Sequence, residues 1–127
     1  MTTAYNSNVN ISNFRAGADL SAESNRYKAV KFDGSGNIIL ATAGDPAIGF
    51  LYNLPKSGRV AEVATIGGGS LAIAAATIAA GAFLKSDANG DLVVASTAND
   101  LAIARAMKSA VDNDVFEVQP ILLRIHA

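Results

Sequence analysis

The chain has no cysteine and no tryptophan, a single histidine, three prolines, and only 6% aromatic residues in a length of 127. Without cysteine there is no disulfide framework and no thiolate zinc site. His126, the sole histidine, is one residue from the C-terminus, so a Ser-His-Asp arrangement would hang on a frayed end, and a multi-histidine metal site cannot be built in one chain. Charge of one sign is also missing: ten basic residues face eleven acidic ones, the net charge is −1, and the basic residues are scattered. Counterion release therefore has little to act on, and nucleic acid is not an expected partner. The most apolar run, residues 71–84, is too short and too rich in alanine and glycine to cross a bilayer, which takes about 20 residues, so no membrane partner is expected either. Residues 1–10 lack the basic start and apolar core of a signal peptide, and a soluble protein made in the cytoplasm is expected.

What the chain does have is small apolar residues. Half of it is hydrophobic, and alanine, glycine, valine and isoleucine carry most of that fraction. A chain this long fits one domain, or two small lobes sharing a core, and buries roughly two thirds of its unfolded surface without a metal, disulfide or cofactor to hold it. Cores of small side chains make thin, closely approached layers with little room for a large ligand.

The same pattern is written twice. Residues 30–42 align without a gap on residues 84–96 at an offset of 54, as in Asp33 to Asp87 and Ala41 to Ala95. One inserted residue later the match resumes at an offset of 55: Asp45 on Asp100, Ile48 on Ile103, Val60 on Val115, Glu62 on Glu117, Val63 on Val118 and Ile66 on Ile121. What recurs is alternating apolar residues around a glycine-containing acidic turn, the pattern of a half-buried hairpin, and not a set of nucleophiles, bases or ligands. Burial of Ile48 and Ile103 alike would support a true duplication.

Along the chain, residues 1–13 are polar, with Tyr5, Val9 and Ile11 as weakly alternating apolar points, and read as an extended or disordered arm. Residues 14–25 read as a lead-in loop. Residues 27–32 and 38–42 alternate around the turn at 33–37 and form a hairpin. A turn at 43–46 with Pro46, a strand over 47–52, a loop over 53–58 and a strand over 59–66 complete the first copy. Gly67, Gly68 and Gly69 separate the copies. Residues 71–82 and 101–110 carry conflicting signals, alanine for helix against isoleucine and flanking glycine for strand. The isoleucines and flanking glycines favour strand at 71–75, with a turn at Ala80 and Gly81, and the repeat decides for strand at 101–110. Residues 115–125 close the domain, with Pro120 at an edge or bulge. The expected fold is all-β, a small barrel or sandwich of two similar hairpin-containing halves (about 30–66 and 84–121) in one domain over residues 26–127, preceded by the arm and lead-in of residues 1–25.

No candidate site survives its bland explanation. Asp87, Asn89 and Asp91 have the spacing that opens a calcium loop, echoed at Asp33, but Leu92 and Ala98 stand where glycine and glutamate are needed, and a turn explains the same residues. Gly67 to Ser70 lacks the lysine of a phosphate loop. Asp45, Asp100, Glu62 and Glu117 recur in register, as duplicated turns and outward strand positions also would. Neither an active site nor a cofactor is expected.

The order of Gly17-Ala18-Asp19-Leu20, Ala29-Val30-Lys31-Phe32-Asp33-Gly34-Ser35-Gly36-Asn37, Ala43-Gly44-Asp45-Pro46-Ala47-Ile48-Gly49, Asn53-Leu54-Pro55, Ile78-Ala79-Ala80-Gly81, Asp87-Ala88-Asn89-Gly90 and Glu117-Val118 resembles the head decoration, or capsid cement, proteins of tailed bacteriophages. The likeness spans residues 17–125, and residues 101–108 depart from it where such proteins carry more glycine. It implies a non-enzymatic virion protein on the outer capsid surface, made in the host cytoplasm, that bridges neighbouring major capsid protein subunits. A homo-oligomer is expected, a trimer before a dimer because capsids offer local three-fold sites. Tyr5, Val9, Ile11 and Phe14 are the candidate contacts to a capsid subunit or a neighbouring copy, by strand addition to an exposed sheet edge. The rival is a β-barrel ligand- or receptor-binding module of a fibre or adhesin, disfavoured for glycans by the lack of tryptophan. A small hydrolase ranks third, for want of a base.

Overall fold

Each copy of the repeat curls into its own small barrel. The computed structural model describes residues 9–125. Among them are ten strands: β1 (Ile11–Arg15), β2 (Ala29–Phe32), β3 (Ile38–Leu40), β4 (Gly49–Leu51), β5 (Val60–Thr65), β6 (Ser70–Ile73), β7 (Phe83–Ser86), β8 (Leu92–Val94), β9 (Leu101–Ala106) and β10 (Val115–Arg124), plus a single 3-10 turn at Glu23–Asn25. They form two five-stranded sheets, ordered β1-β5-β4-β2-β3 and β6-β10-β9-β7-β8, with every strand pair antiparallel. The second order is the first advanced by five strands. In each sheet the two edges then meet through one parallel bridge, Ala16 to Ile38 in the first and Ala74 to Leu92 in the second.

The strands form where the sequence alternates, and the register that results aims the alternating residues at one interior per half. Ala16, Leu20, Val30, Ile38, Leu51, Ala61 and Val63 make the first core. Their structural equivalents Ala74, Ile78, Leu84, Leu92, Ala106, Phe116 and Val118 lie in the second. Two of these positions exchange sizes: Leu51 and Ala61 correspond to Ala106 and Phe116, so a large and a small residue fill each interior at similar total volume, as close packing demands. Ile103 is buried, whereas Ile48 is only half-buried against the first core, so the two positions are not buried alike.

The loops repeat as closely as the strands. The Leu20 N–H donates to the Pro55 carbonyl, and the Ile78 N–H to Ala110. Gly58 and Asn113, both at positive φ, donate their N–H to the carbonyls of Ala16 and Ala74. Asp33 Oδ1 accepts the N–H of Ser35 and Asn37, and Asp87 Oδ1 those of Asn89 and Asp91. These bonds occupy the Asp33 and Asp87 carboxylates, in the local backbone bonding that favours Asp and Asn in turns.

Residues 71–82 and 101–110 hold strands, at Ser70–Ile73 and Leu101–Ala106, and the turn at Ala80 and Gly81 is present. Tertiary pairing overrides the helix propensity of their alanines. Pro120 follows Val118, the last residue that β6 pairs, and precedes a register shift that leaves one extra residue in β10. The N-terminal expectation needs correcting. Ile11–Arg15 is no free arm or lead-in loop but β1, paired along its whole length with β5, from Ile11 on Ala64 to Arg15 on Val60. The weak alternation of Val9 and Ile11 is a strand signal whose partner is the chain's own β5. β1 is the counterpart of β6, so the repeat starts earlier than sequence similarity reaches.

Candidate interaction surfaces

Head-to-tail contact between the halves leaves one face of each uncovered. The first half presents Ala29, Ala41, Ala47 and Phe50, all buried, to the second and shares its core cluster. Phe50, the largest fully buried side chain, lies on β4, which packs against β6. The second half answers with β6 and its β7–β8 turn. The Ala29 N–H donates to the Gly90 carbonyl at 2.8 Å, the Gly44 N–H to Ser86 at 2.9 Å, and the Leu71 N–H to Tyr52 Oη at 2.9 Å. Ser86 is 1% exposed and Gly90 buried, and a methyl group on Gly90 would stand 3.2 Å from the Ala29 carbonyl oxygen.

Some of the positions equivalent to these contacts are exposed on the other half, although Ala95 and Ala102, the counterparts of Ala41 and Ala47, are buried. Phe32 is the counterpart of Ser86 and is 47% exposed. It meets Phe14, the counterpart of Ala72, edge to face with ring centroids 5.4 Å apart. Together with Lys31, Pro46, Ala47, Ile48, Thr65, Ile66 and Leu122 they line an apolar groove of about 560 Å³. Leu122 reaches its rim from the β10 segment that carries the register shift. On the second half, Phe83, Arg105 and Gln119 correspond to Ala29, Phe50 and Ala64. There the Arg105 guanidinium stacks over the Phe83 ring at 5.4 Å while its Nε donates to the Gly81 carbonyl. Met107, the counterpart of Tyr52, is exposed beside it.

The recurring acidic residues lock turns. Lys31 Nζ lies 2.6 Å from Asp45 Oδ2, and Lys85 Nζ lies 3.1 Å from Asp100 Oδ2. The two carboxylates also accept the N–H of Thr42 and Thr97. Hydrogen bonds from Lys31 and Thr42 hold the Asp45 carboxyl down at about 2, and those from Lys85 and Thr97 lower Asp100 likewise. Asp91 goes the other way: burial raises its pKa, its Oδ1 is buried without a hydrogen-bond partner, and Lys28 only partly opposes the shift. Among the described residues no three His, Cys, Asp or Glu side chains gather as a metal site.

The candidate contact residues are not brought together as one free segment. Tyr5 lies outside the described residues, as does His126. Val9 makes a single parallel bridge to Gly69. Ile11 is 42% exposed on β1, and Phe14 lies in the groove. Asn10 Nδ2 donates to the Ile66 carbonyl, which puts the start of the described chain at the groove's rim. Sequence inspection missed Phe32, Ile66 and Leu122 as surface residues. An available signal was that Phe32 aligns with a serine, as Phe50 does with an arginine, in a repeat whose other strand positions mostly match apolar with apolar.

Two small duplicated barrels, one of them bearing an apolar groove, define a β-rich module. No family model matches the chain, and no curated protein matches it. Among solved structures it is similar to the N base of the head fibre gp8.5 of bacteriophage phi29, with a TM-score of 0.66 and 15% identity over 94% of this chain and 99% of that one. The likeness is one of fold, and it takes in both halves.

Proposed function

We propose that the protein is a structural component of a tailed-phage virion that binds the outer surface of an icosahedral head and stabilises it by bridging neighbouring major capsid protein subunits. The observation that carries this is the architecture shared along nearly the whole chain with a phage head-fibre base. The resemblance of residues 17–125 to capsid cement proteins supports it independently. The protein acts by binding, without turnover or a cofactor, as a homo-oligomer, with three chains favoured because capsids present local three-fold sites. Many copies on a lattice give avidity, so each contact can be modest. The segment carrying Tyr5 and Val9 supplies one contact to the capsid, next to the exposed Ile11.

A second function is favoured by the same neighbour being the base of a fibre: the chain then seats a fibre module that meets a ligand or receptor. Co-sedimentation with undecorated, expanded heads assembled from the major capsid protein of the same source separates the two. Saturation at a simple ratio to capsid subunits, with heads made more resistant to heat or chelation, supports bridging. A few copies per head without stabilisation favours the fibre base, and absence of binding removes both. Deleting residues 2–8 should leave the domain folded while head binding weakens. Undiminished binding by that variant would rule out the segment's role.

A further inference from the structure

We infer that copies of this chain associate head to tail, the Phe14–Phe32 groove of one chain seating the Phe83–Arg105 face of the next. The contact between the halves within one chain is the template. There a face built on β2 and β4, with Ala29 and Phe50, covers the other half's turn end, with Ser86 and Gly90. Duplication necessarily produces a second turn end, on the first half, and a second outer face, on the second half. Each presents apolar or aromatic residues toward solvent: Phe32 is 47% and Met107 54% exposed, and half-buried Phe83 carries the Arg105 guanidinium over its ring, while Ala95 and Ala102 on the second half's face are buried. An association that joins unlike faces is heterologous, so it closes as a ring or runs on as a filament.

The side chains differ from the internal contact in one instructive way. Arg105 stands where Phe50 does, and Phe14 and Phe32 stand where Ala72 and Ser86 do. A guanidinium already stacked on Phe83 offers its other face to an aromatic ring, and the groove supplies two, so cation–π stacking replaces the burial of Phe50. The contact is therefore weaker and more polar than the one inside the chain. It separates between chains but not between halves.

This rests on the oligomeric part of the proposed function but needs no capsid, so the two fail separately. Because the chain has no cysteine, single variants F32C and R105C report the contact alone. Mixed and oxidised with copper phenanthroline, they should give a covalent dimer several-fold more abundant than either variant alone. Equal dimer from F32C by itself would mean a two-fold contact and would overturn the inference, as would no dimer in any mixture. In sedimentation velocity, F32S, which restores the residue found at the equivalent position, should shift the oligomer to monomer with an unchanged unfolding midpoint. Retention of the wild-type mass by F32S refutes the inference, and if F32S also lost head binding at that mass the groove would belong to the capsid contact instead.

Discussion

Gly36 and Gly90 make a matched pair for measuring the contact between the halves. They occupy the same place in the two copies of one turn, at φ 84° and 83°. An added Cβ meets nothing within 4 Å at Gly36, whereas at Gly90 it meets the Ala29 carbonyl oxygen at 3.2 Å, Lys28 Cβ at 3.4 Å and the Ala41 carbonyl oxygen at 3.5 Å. Alanine at either site is forced into the left-handed region, at about 1 kcal/mol after allowing for the entropy it removes from the unfolded chain. Only Gly90→Ala must also push the first half off the turn. Two of its close contacts are backbone oxygens, of Ala29 and Ala41, which cannot rotate away as a side chain would, and the Ala29 oxygen is further held by the Ala41 N–H. Overpacking of that kind costs about 1–3 kcal/mol more. With a urea dependence of about 1.5 kcal/mol/M, Gly36→Ala should lower the unfolding midpoint by roughly 0.7 M and Gly90→Ala by roughly 1.3–2.7 M. Equal shifts for the two variants would refute the seating of the first half on the β7–β8 turn.

Phe50→Ala should cost about 3–5 kcal/mol in chemical denaturation, since it empties the fully buried ring shared by both halves; a loss below about 1 kcal/mol would show that the ring is not packed there in solution. Asp91→Asn should raise stability by up to about 1 kcal/mol at neutral pH, because it removes a carboxylate whose buried oxygen has no partner and whose charge burial disfavours. Asparagine already stands at the equivalent position 37. A lower melting temperature for Asp91→Asn would mean that the charge is compensated. Asp45 is held at about 2 in the folded chain against an ordinary value of 3.8, so its contribution is complete above about pH 4 and is lost as the pH falls through about 2. Unfolding midpoints between pH 5 and pH 2 should therefore decline, and the decline should be shallower in Asp45→Asn. Parallel curves for Asp45→Asn and wild type would refute the link.

The all-β class, the duplication and most turns are legible from the chain alone. Those are local signals: alternation of period two, and Asp, Asn and Gly at positions whose backbone bonds they make themselves, as Asp33 and Asp87 do. The likeness of Val30 to Leu84 or Val63 to Val118 could be read because an interior position accepts only apolar residues of suitable size. Ile11–Arg15 and Ser70–Ile73 share almost nothing, yet they are the same strand of the two barrels. Each is an edge strand whose identity is set by the free edge it meets, β5 or β10, some 50 residues away for one and 45 for the other. Likewise, nothing local distinguishes buried Phe50 from exposed Phe32. Long-range packing alone sets which face of each barrel is covered by the other half, burying Phe50 and leaving Phe32 exposed. Docking one copy on the next uses complementary faces, so two identical plans must end with one of each unused.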